Sequence, residues 1–304
     1  MSEERIISDA AEFASVASRA TVLWTNVLQS VLVACVVLWV LDIPRQVFNV
    51  AFYTEQLLTI CLGLTLALAF IADTSRPRHW FDWAAMGLSL ALCGYIAARY
   101  ANLTDEASLI PLSGLIVSAA LIALIMEASR RTNGWGFVSM IAGIAIYVYI
   151  SPHLSGDFQT RYVSPERMTV YLGLDINGAI GSILQVAVMV VIPFTILGQV
   201  LAKTGGADFF ADISMSAMGR FRGGAAKIAV VGSALFGMIS GSAVSNVLAV
   251  GIVTIPAMIK SGFTPYRAAA IESVGSTGGQ LMPPVMGAAA LIMAEFLQVS
   301  YGTV

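Results

Sequence analysis

The chain reads as a series of apolar runs, each near the thickness of a bilayer, broken by short polar punctuation. A membrane-spanning helix needs about 20 mostly apolar residues. Such runs fall at roughly 22–41, 51–72, 80–98, 109–127 and 134–151. Trp80 and Trp83 open the third, and Pro111 sits in the first turn of the fourth, where proline is tolerated. Trp and Tyr near the ends of these runs fit an interfacial belt. A longer polar segment follows over about 152–176, with His153, Asp157, Arg161, Glu166, Arg167 and Asp175. A sixth run, roughly 178–201, contains Pro193, which removes a backbone hydrogen bond and predicts a kink.

The positions of lysine and arginine orient these runs. With the N-terminus in the cytoplasm, the inner segments hold ten basic residues: Arg5, Arg19, Arg76, Arg78, Arg130, Arg131, Lys203, Arg220, Arg222 and Lys227. The outer segments hold four, Arg45, Arg99, Arg161 and Arg167. That is the direction of the positive-inside rule.

Between Lys227 and Lys260 lie 32 residues without a charge. One straight span would put Lys260 and Arg267 outside. A hairpin that dips in and returns keeps both inside, with limbs of about 13 residues, or about 20 Å at the helical rise. Its turn would then lie past the midplane of a core about 30 Å thick. The sequence there, GMISGSAVSN over 237–246, gathers Gly237, Ser240, Gly241, Ser242, Ser245 and Asn246. Irregular backbone at that depth is tolerated only inside protein or beside a cavity. The alternative is an unbroken helix with a small-residue packing face, since Gly237 and Gly241 form a GxxxG pair.

After the return, Thr264 and Pro265 form a helix start. A second break is expected at GSTGGQLMPP, residues 275–284, with three glycines and two prolines. Apolar sequence resumes at Val285 and runs to about Leu297. The fold class is therefore an all-α polytopic membrane protein: about six spans, then a re-entrant hairpin and a discontinuous helix. Residues 1–20 are polar and mixed in charge, and read as a cytoplasmic N-terminal segment rather than a cleavable signal.

Composition agrees. Hydrophobic residues are 58% of the chain and charged residues 11%, against about 25% charged in a soluble domain. A net charge of −2 points to neither nucleic acid nor an acidic partner. Cys35, Cys61 and Cys93 each lie in an apolar run and read as small hydrophobes.

Two interrupted segments at membrane depth point to a transport site. Unwound backbone offers carbonyl oxygens, and Ser, Thr and Asn add neutral side-chain oxygens, the hard ligands that a sodium ion accepts. Helix N-termini nearby favour an anionic substrate. No acidic residue lies in either break, which argues for neutral oxygen ligands over a proton relay. An intramembrane serine enzyme built on SGSA lacks a base, because His79 and His153 fall in predicted loops on opposite sides. No GxxxxGK[ST] occurs.

The stretch GMISGSAVSNVLAVGIVTIPAMIKSGFTPYRAAAIESVGSTGGQLMPPVMGAAALIMAEFL resembles the large membrane subunit of TRAP transporters. That family carries an SGSA hairpin tip, an IP-M-K-x-G-[FY]-x-P-x-x-A segment and a Gly-rich break ending in PP. The preceding helices resemble the small membrane subunit, as in fused permeases that work with TAXI-type binding proteins. On that likeness, 21–130 is a four-helix scaffold and 131–304 the N-terminal part of a transport region. The resemblance implies a sodium-coupled importer of the bacterial inner membrane, supplied with an organic acid by a periplasmic binding protein. It implies no cofactor beyond the coupling ion.

By motif, the sodium ligands would be Ser240, Ser242, Ser245 and Asn246 at the tip, with Gly279, Met282 and Pro284 in the break. Gly275 and Thr277 come second. Two motif positions depart: Val285 follows Pro284 where PPS is common, and STGG stands for GTLG. The family builds its transport domain from two inverted repeats, and one is found here, so the chain is expected to be an N-terminal portion of a longer protein or a truncated reading frame. The competing reading is a membrane scaffold or assembly subunit that transports nothing.

Overall fold

The computed structural model describes residues 19–48, 53–72, 80–107, 111–283 and 286–303, and every regular element among them is helical. The N-terminal segment to residue 18, together with His79, Pro284 and Val285, lies outside the described residues. The chain divides into two compact units, with the division between Gln185 and Val186.

In the first unit, α1 (Arg19–Val40), α3 (Thr54–Ile71), α4 (Trp80–Ala107), α5 (Leu112–Asn133) and α6 (Trp135–Ile150) follow the five predicted runs, and a short α2 (Ile43–Phe48) falls between the first two. The most extensive contact is between α3 and α4. It is close because Gly63 has no side chain: a β-carbon there would lie 2.7 Å from Cβ of Cys93. Leu28 of α1 joins Leu64, Ala67 and Ile71 of α3 in one core cluster. Arg131 near the end of α5 pairs with Asp82 near the start of α4 and lies 5.0 Å above the ring of Phe70 near the end of α3. Three helix ends therefore meet at one level, as alternating spans require. Cys61 and Cys93 are buried free thiols.

The polar segment after residue 151 holds a helix the apolar pattern does not announce, α7 (Pro165–Leu174). Ser164 caps it, Pro165 is its first residue, and Val170, Gly173 and Leu174 are buried. It packs on α5, where a β-carbon on Gly173 would lie 2.6 Å from Cβ of Ser118. The sixth run is helical from α8 (Ser182–Val186) to α9 (Ile192–Lys203), with a π-helical stretch, Ala187–Val191, between them. The kink predicted from Pro193 takes this form. Its ring conflicts with the carbonyl four residues back, at Met189, and the wider turn relieves that conflict.

In the second unit, α10 (Gly206–Met218) packs beside α11 (Gly224–Ser240) and α12 (Ala243–Lys260). These last two form the expected hairpin. Ala229 and Met258, far from the turn on either limb, share one cluster with Ala268, and Phe236 meets Val250 nearer the tip. Only antiparallel limbs bring those pairs together. The limbs have 17 and 18 residues, about 25 and 27 Å at the helical rise, longer than the sequence suggested because helix begins before Lys227 and the turn takes only two residues. Seven described helices are long and apolar enough to cross a membrane, the seventh being α12.

The second break comes later than expected. Helix α13 (Pro265–Gly279) runs through Gly275, Gly278 and Gly279, and the described residues between it and α14 (Ala288–Leu297), 280–283 and 286–287, are irregular. Gly275 and Gly279 serve helix contact rather than unwinding. A β-carbon on Gly237 would lie 2.6 Å from Cα of Gly279.

Candidate functional site

The hairpin turn consists of two residues. Gly241 adopts φ 59°, its N–H closing α11 onto the carbonyl of Gly237. Ser242 is extended and caps α12, its hydroxyl accepting from the N–H of Ser245. The GxxxG pair thus divides its roles: Gly241 breaks the helix, and Gly237 packs it. A side chain at Gly241 would be strained in the left-handed region and would meet the carbonyl oxygen of Met286 at 2.7 Å. The tip therefore abuts the second break. Gln280 adds a long contact from Nε2 to the Gly241 carbonyl at 3.4 Å. The N–H of Gly287 bonds back to the Gln280 carbonyl at 2.7 Å.

A cavity of about 460 Å³ opens where these breaks meet. Ser240, Gly241 and Ser242 line it from the hairpin, Gln280, Met286 and Gly287 from the break, and Phe194 and Thr195 from α9. Thr195 donates to the carbonyl of Val191 in the loosened π turn.

The residues singled out by sequence are distributed unevenly around it. Ser240 is 3% exposed, and its hydroxyl has no hydrogen-bond partner among the described residues. Ser245 accepts from Nε2 of Gln199 at 3.0 Å, which ties the tip to α9. Asn246 is fully buried between α11 and α13. Its Nδ2 donates to the carbonyl of Ser233 at 2.7 Å and approaches that of Ser276 at 3.5 Å. Two carbonyls require the NH₂ end there, so Oδ1 is the free end, buried and unpartnered. Gly279 lies in the same seam, where an added β-carbon would meet the Ser233 carbonyl at 2.7 Å. Gly275 is inside α13 against Val230. Thr277 is exposed and bonds back to the carbonyl of Ser273. Met282 lines a separate, apolar groove with Val230, Ala234 and Val274. Pro284 lies outside the described residues.

One residue escaped the sequence reading altogether. Glu272, in α13, has 0% exposure. Its Oε1 accepts from Ser233 at 2.7 Å and from Ser276 at 3.2 Å. Its Oε2 lies against the hydroxyl of Thr254, which also reaches the carbonyl of Val250. Gly251 makes room for its stem: a β-carbon there would sit 3.2 Å from Cγ of Glu272. No cationic side chain pairs with it among the described residues. The available signal was a lone carboxylate on a helix of small and hydroxyl residues between two apolar runs, which is costly to bury unless it has a role.

Comparison with known proteins follows the same stretch. Residues 120–304 match the family described as the tripartite ATP-independent periplasmic transporter, DctM component. The chain is 36% identical over 97 residues to the C4-dicarboxylate TRAP transporter large permease protein DctM of Vibrio cholerae, covering 32% of this chain and 21% of that protein. The namesake in Pseudomonas aeruginosa is 37% identical over 97 residues, 32% of this chain and 23% of that one. The isethionate TRAP transporter permease protein DctMQ of Oleidesulfovibrio alaskensis is 36% identical over 95 residues, 31% of this chain and 15% of its own length. The matched segment thus spans about a fifth of these relatives or less. No solved structure matches.

Proposed function

Because the chain belongs to the DctM-component family of tripartite ATP-independent periplasmic transporters, we propose that it is a permease component of a sodium-coupled importer of an organic acid. A periplasmic binding protein of TAXI type delivers the substrate. The protein sits in the bacterial inner membrane with its N-terminus in the cytoplasm, as the ten-to-four distribution of basic residues favours. Residues 21–130 act as scaffold, in the manner of a fused small subunit, and 131–304 belong to the moving transport region. The carboxylate class is supported by the C4-dicarboxylate names of the relatives from Vibrio cholerae and Pseudomonas aeruginosa.

The observation that carries the sodium reading is the pair of buried, unpartnered oxygens near the tip, Oγ of Ser240 and Oδ1 of Asn246. A buried acceptor without a donor costs about 1–3 kcal/mol, and a small hard cation satisfies such oxygens without introducing a proton. Ser240 and Asn246 are the leading ligands. Ser242, Ser245 and the carbonyls of Gly279 and Met282 complete the candidate shell. Gly275 and Thr277 lie within regular helix and are secondary. The N-terminus of α12, opening at Ala243, adds a positive end facing the tip.

Sodium should raise the thermal midpoint of the purified protein where equal potassium does not, since a ligand of the folded state alone stabilises it. Ser240→Ala and Asn246→Ala should each weaken apparent sodium affinity about tenfold, equivalent to about 1.4 kcal/mol. Stabilisation equal in potassium and sodium would sink the ion site. Sodium-independent uptake by proteoliposomes holding the complete permease and its binding protein would sink the coupling.

A further inference from the structure

The cavity at the tip gathers its hydrogen-bond donors at one end. Helix α14 starts there: Gly287 caps it without a side chain, and Ala289 and Ala290 of its first turn line the wall. The N–H of Ala290 turns back to the Gly287 carbonyl, while those of Ala288 and Ala289 have no partner within the helix. The helix end adds a partial positive charge. The hairpin tip closes on the same point, because a β-carbon on Gly287 would lie 3.5 Å from the carbonyl oxygen of Gly241. Ser240 and Ser242 flank Gly241 and line the cavity. The Ser240 hydroxyl is buried, 3% exposed, and unpartnered. A hydroxyl has one hydrogen and two lone pairs, so Ser240 can offer a lone pair to a cation and its hydrogen to an anion.

The other polar side chains of the wall are engaged. Thr195 donates to the Val191 carbonyl at 2.8 Å, and Nε2 of Gln280 faces the Gly241 carbonyl at 3.4 Å. The rest of the wall is apolar: Phe194 from α9, Met286 from the break, and Leu291 and Met293 from α14. Leu291 stands four residues beyond Gly287, about 6 Å along the helix. Methionine is flexible and accommodates bodies of varied shape. No described residue of the lining carries a charge.

An anion entering this cavity is received at the start of α14 and the hairpin tip. A second carboxylate on the same molecule would press against Phe194, Leu291 or Met293 with neither donor nor counter-charge, and burying a charge that way is costly. An apolar body in the same place gains contact instead. At about 460 Å³ the cavity has the size of a small-molecule site.

We infer that this cavity takes a monocarboxylate with an apolar body, a branched aliphatic or arylalkyl acid, in preference to a short dicarboxylate. The carboxylate lies at the N-terminus of α14 with a hydrogen bond from Ser240, and the body lies along Phe194, Leu291 and Met293. The inference rests on the reading of the chain as part of an organic-acid importer and narrows the acid.

Thermal midpoints of the purified protein in lipid nanodiscs test this, with phenylacetate, 4-methylpentanoate, succinate and phenylacetamide titrated in sodium and in potassium. In sodium, the two monocarboxylates should raise the midpoint at concentrations about tenfold or more below succinate. Phenylacetamide keeps the ring, loses the charge and controls for partition into lipid, so it should have no effect. Phe194→Ala should weaken phenylacetate about tenfold and leave the response to sodium alone unchanged. Leu291→Arg puts a cation in the apolar wall and should turn the preference toward succinate; if that variant does not fold, the four ligands on the unaltered chain decide. Succinate acting at or below the concentrations of the monocarboxylates overturns the inference, as does phenylacetamide acting as well as phenylacetate. A protein that sodium stabilises and no acid does overturns it too, and leaves the ion site standing. Monocarboxylate stabilisation equal in sodium and potassium supports the subsite and sinks only the coupling.

Discussion

Gly237 and Gly279 meet backbone to backbone: a β-carbon on Gly237 would lie 2.6 Å from Cα of Gly279, and one on Gly279 would lie 3.1 Å from Cα of Gly237. The closest contact between hairpin and α13 is therefore made without side chains. Gly237→Ala and Gly279→Ala should each destabilise the protein by about 1–3 kcal/mol through overpacking. Gly278 is the control on the same helix. Nothing lies within 4 Å of a β-carbon built there, so Gly278→Ala should be neutral or stabilising by up to about 1 kcal/mol. Thermal denaturation in one detergent compares all three, and equal losses at Gly278 and Gly279 would refute the seam.

The turn itself yields a second expectation. Gly241→Ala forces a side chain into the left-handed region, at about 1–2 kcal/mol, and against the Met286 carbonyl. It should loosen the tip from the break and raise proteolytic cleavage between Gln280 and Gly287. Without sodium, Ser242→Ala removes the α12 cap and should cost about 1 kcal/mol with little change in cleavage there.

A third concerns the contact of α9 with the tip. Gln199→Ala removes the donor to Ser245 and should cost about 0.5–1.5 kcal/mol. Ser245→Ala should cost a similar amount, and the double variant little more than either alone, because both lose the same bond. Additive losses would show that the two residues act independently.

In the first unit, Gly63→Ala should be disruptive, since its β-carbon would fall 2.7 Å from Cβ of Cys93. Cys93→Gly in the same chain should restore part of the loss, which urea titration of the two variants measures. If Cys93→Gly gives no relief, the approach of α3 to α4 is looser than described.

The spans were legible because about 20 apolar residues have few other uses, and the hairpin because a glycine and a serine interrupt a long uncharged run. Helices α7 and α10 were not. One lies in a polar segment, and the other has only 13 residues and carries Asp208 and Asp212. The second break was misplaced by about five residues because glycine serves both to unwind a helix and to let two helices touch. Gly275 and Gly279 do the latter. The tip residues were legible from SGSA, whereas Gln199, Gln280 and Thr195 were not, since nothing local marks them. Glu272 stood in plain view as the one carboxylate of its helix. Its donors lie 39, 18 and 4 residues away, and only the fold collects them.

A joint made of bare backbone has no rotamers. It cannot yield by swinging a side chain aside, as most interior contacts can, so it either holds or parts completely. The hairpin and α13 will therefore travel as one body in any conformational cycle, with flexure displaced to the chain on either side. Gly205 and Gly223, ahead of the hairpin and each at positive φ with open space where a side chain would go, are places where the backbone is free to turn.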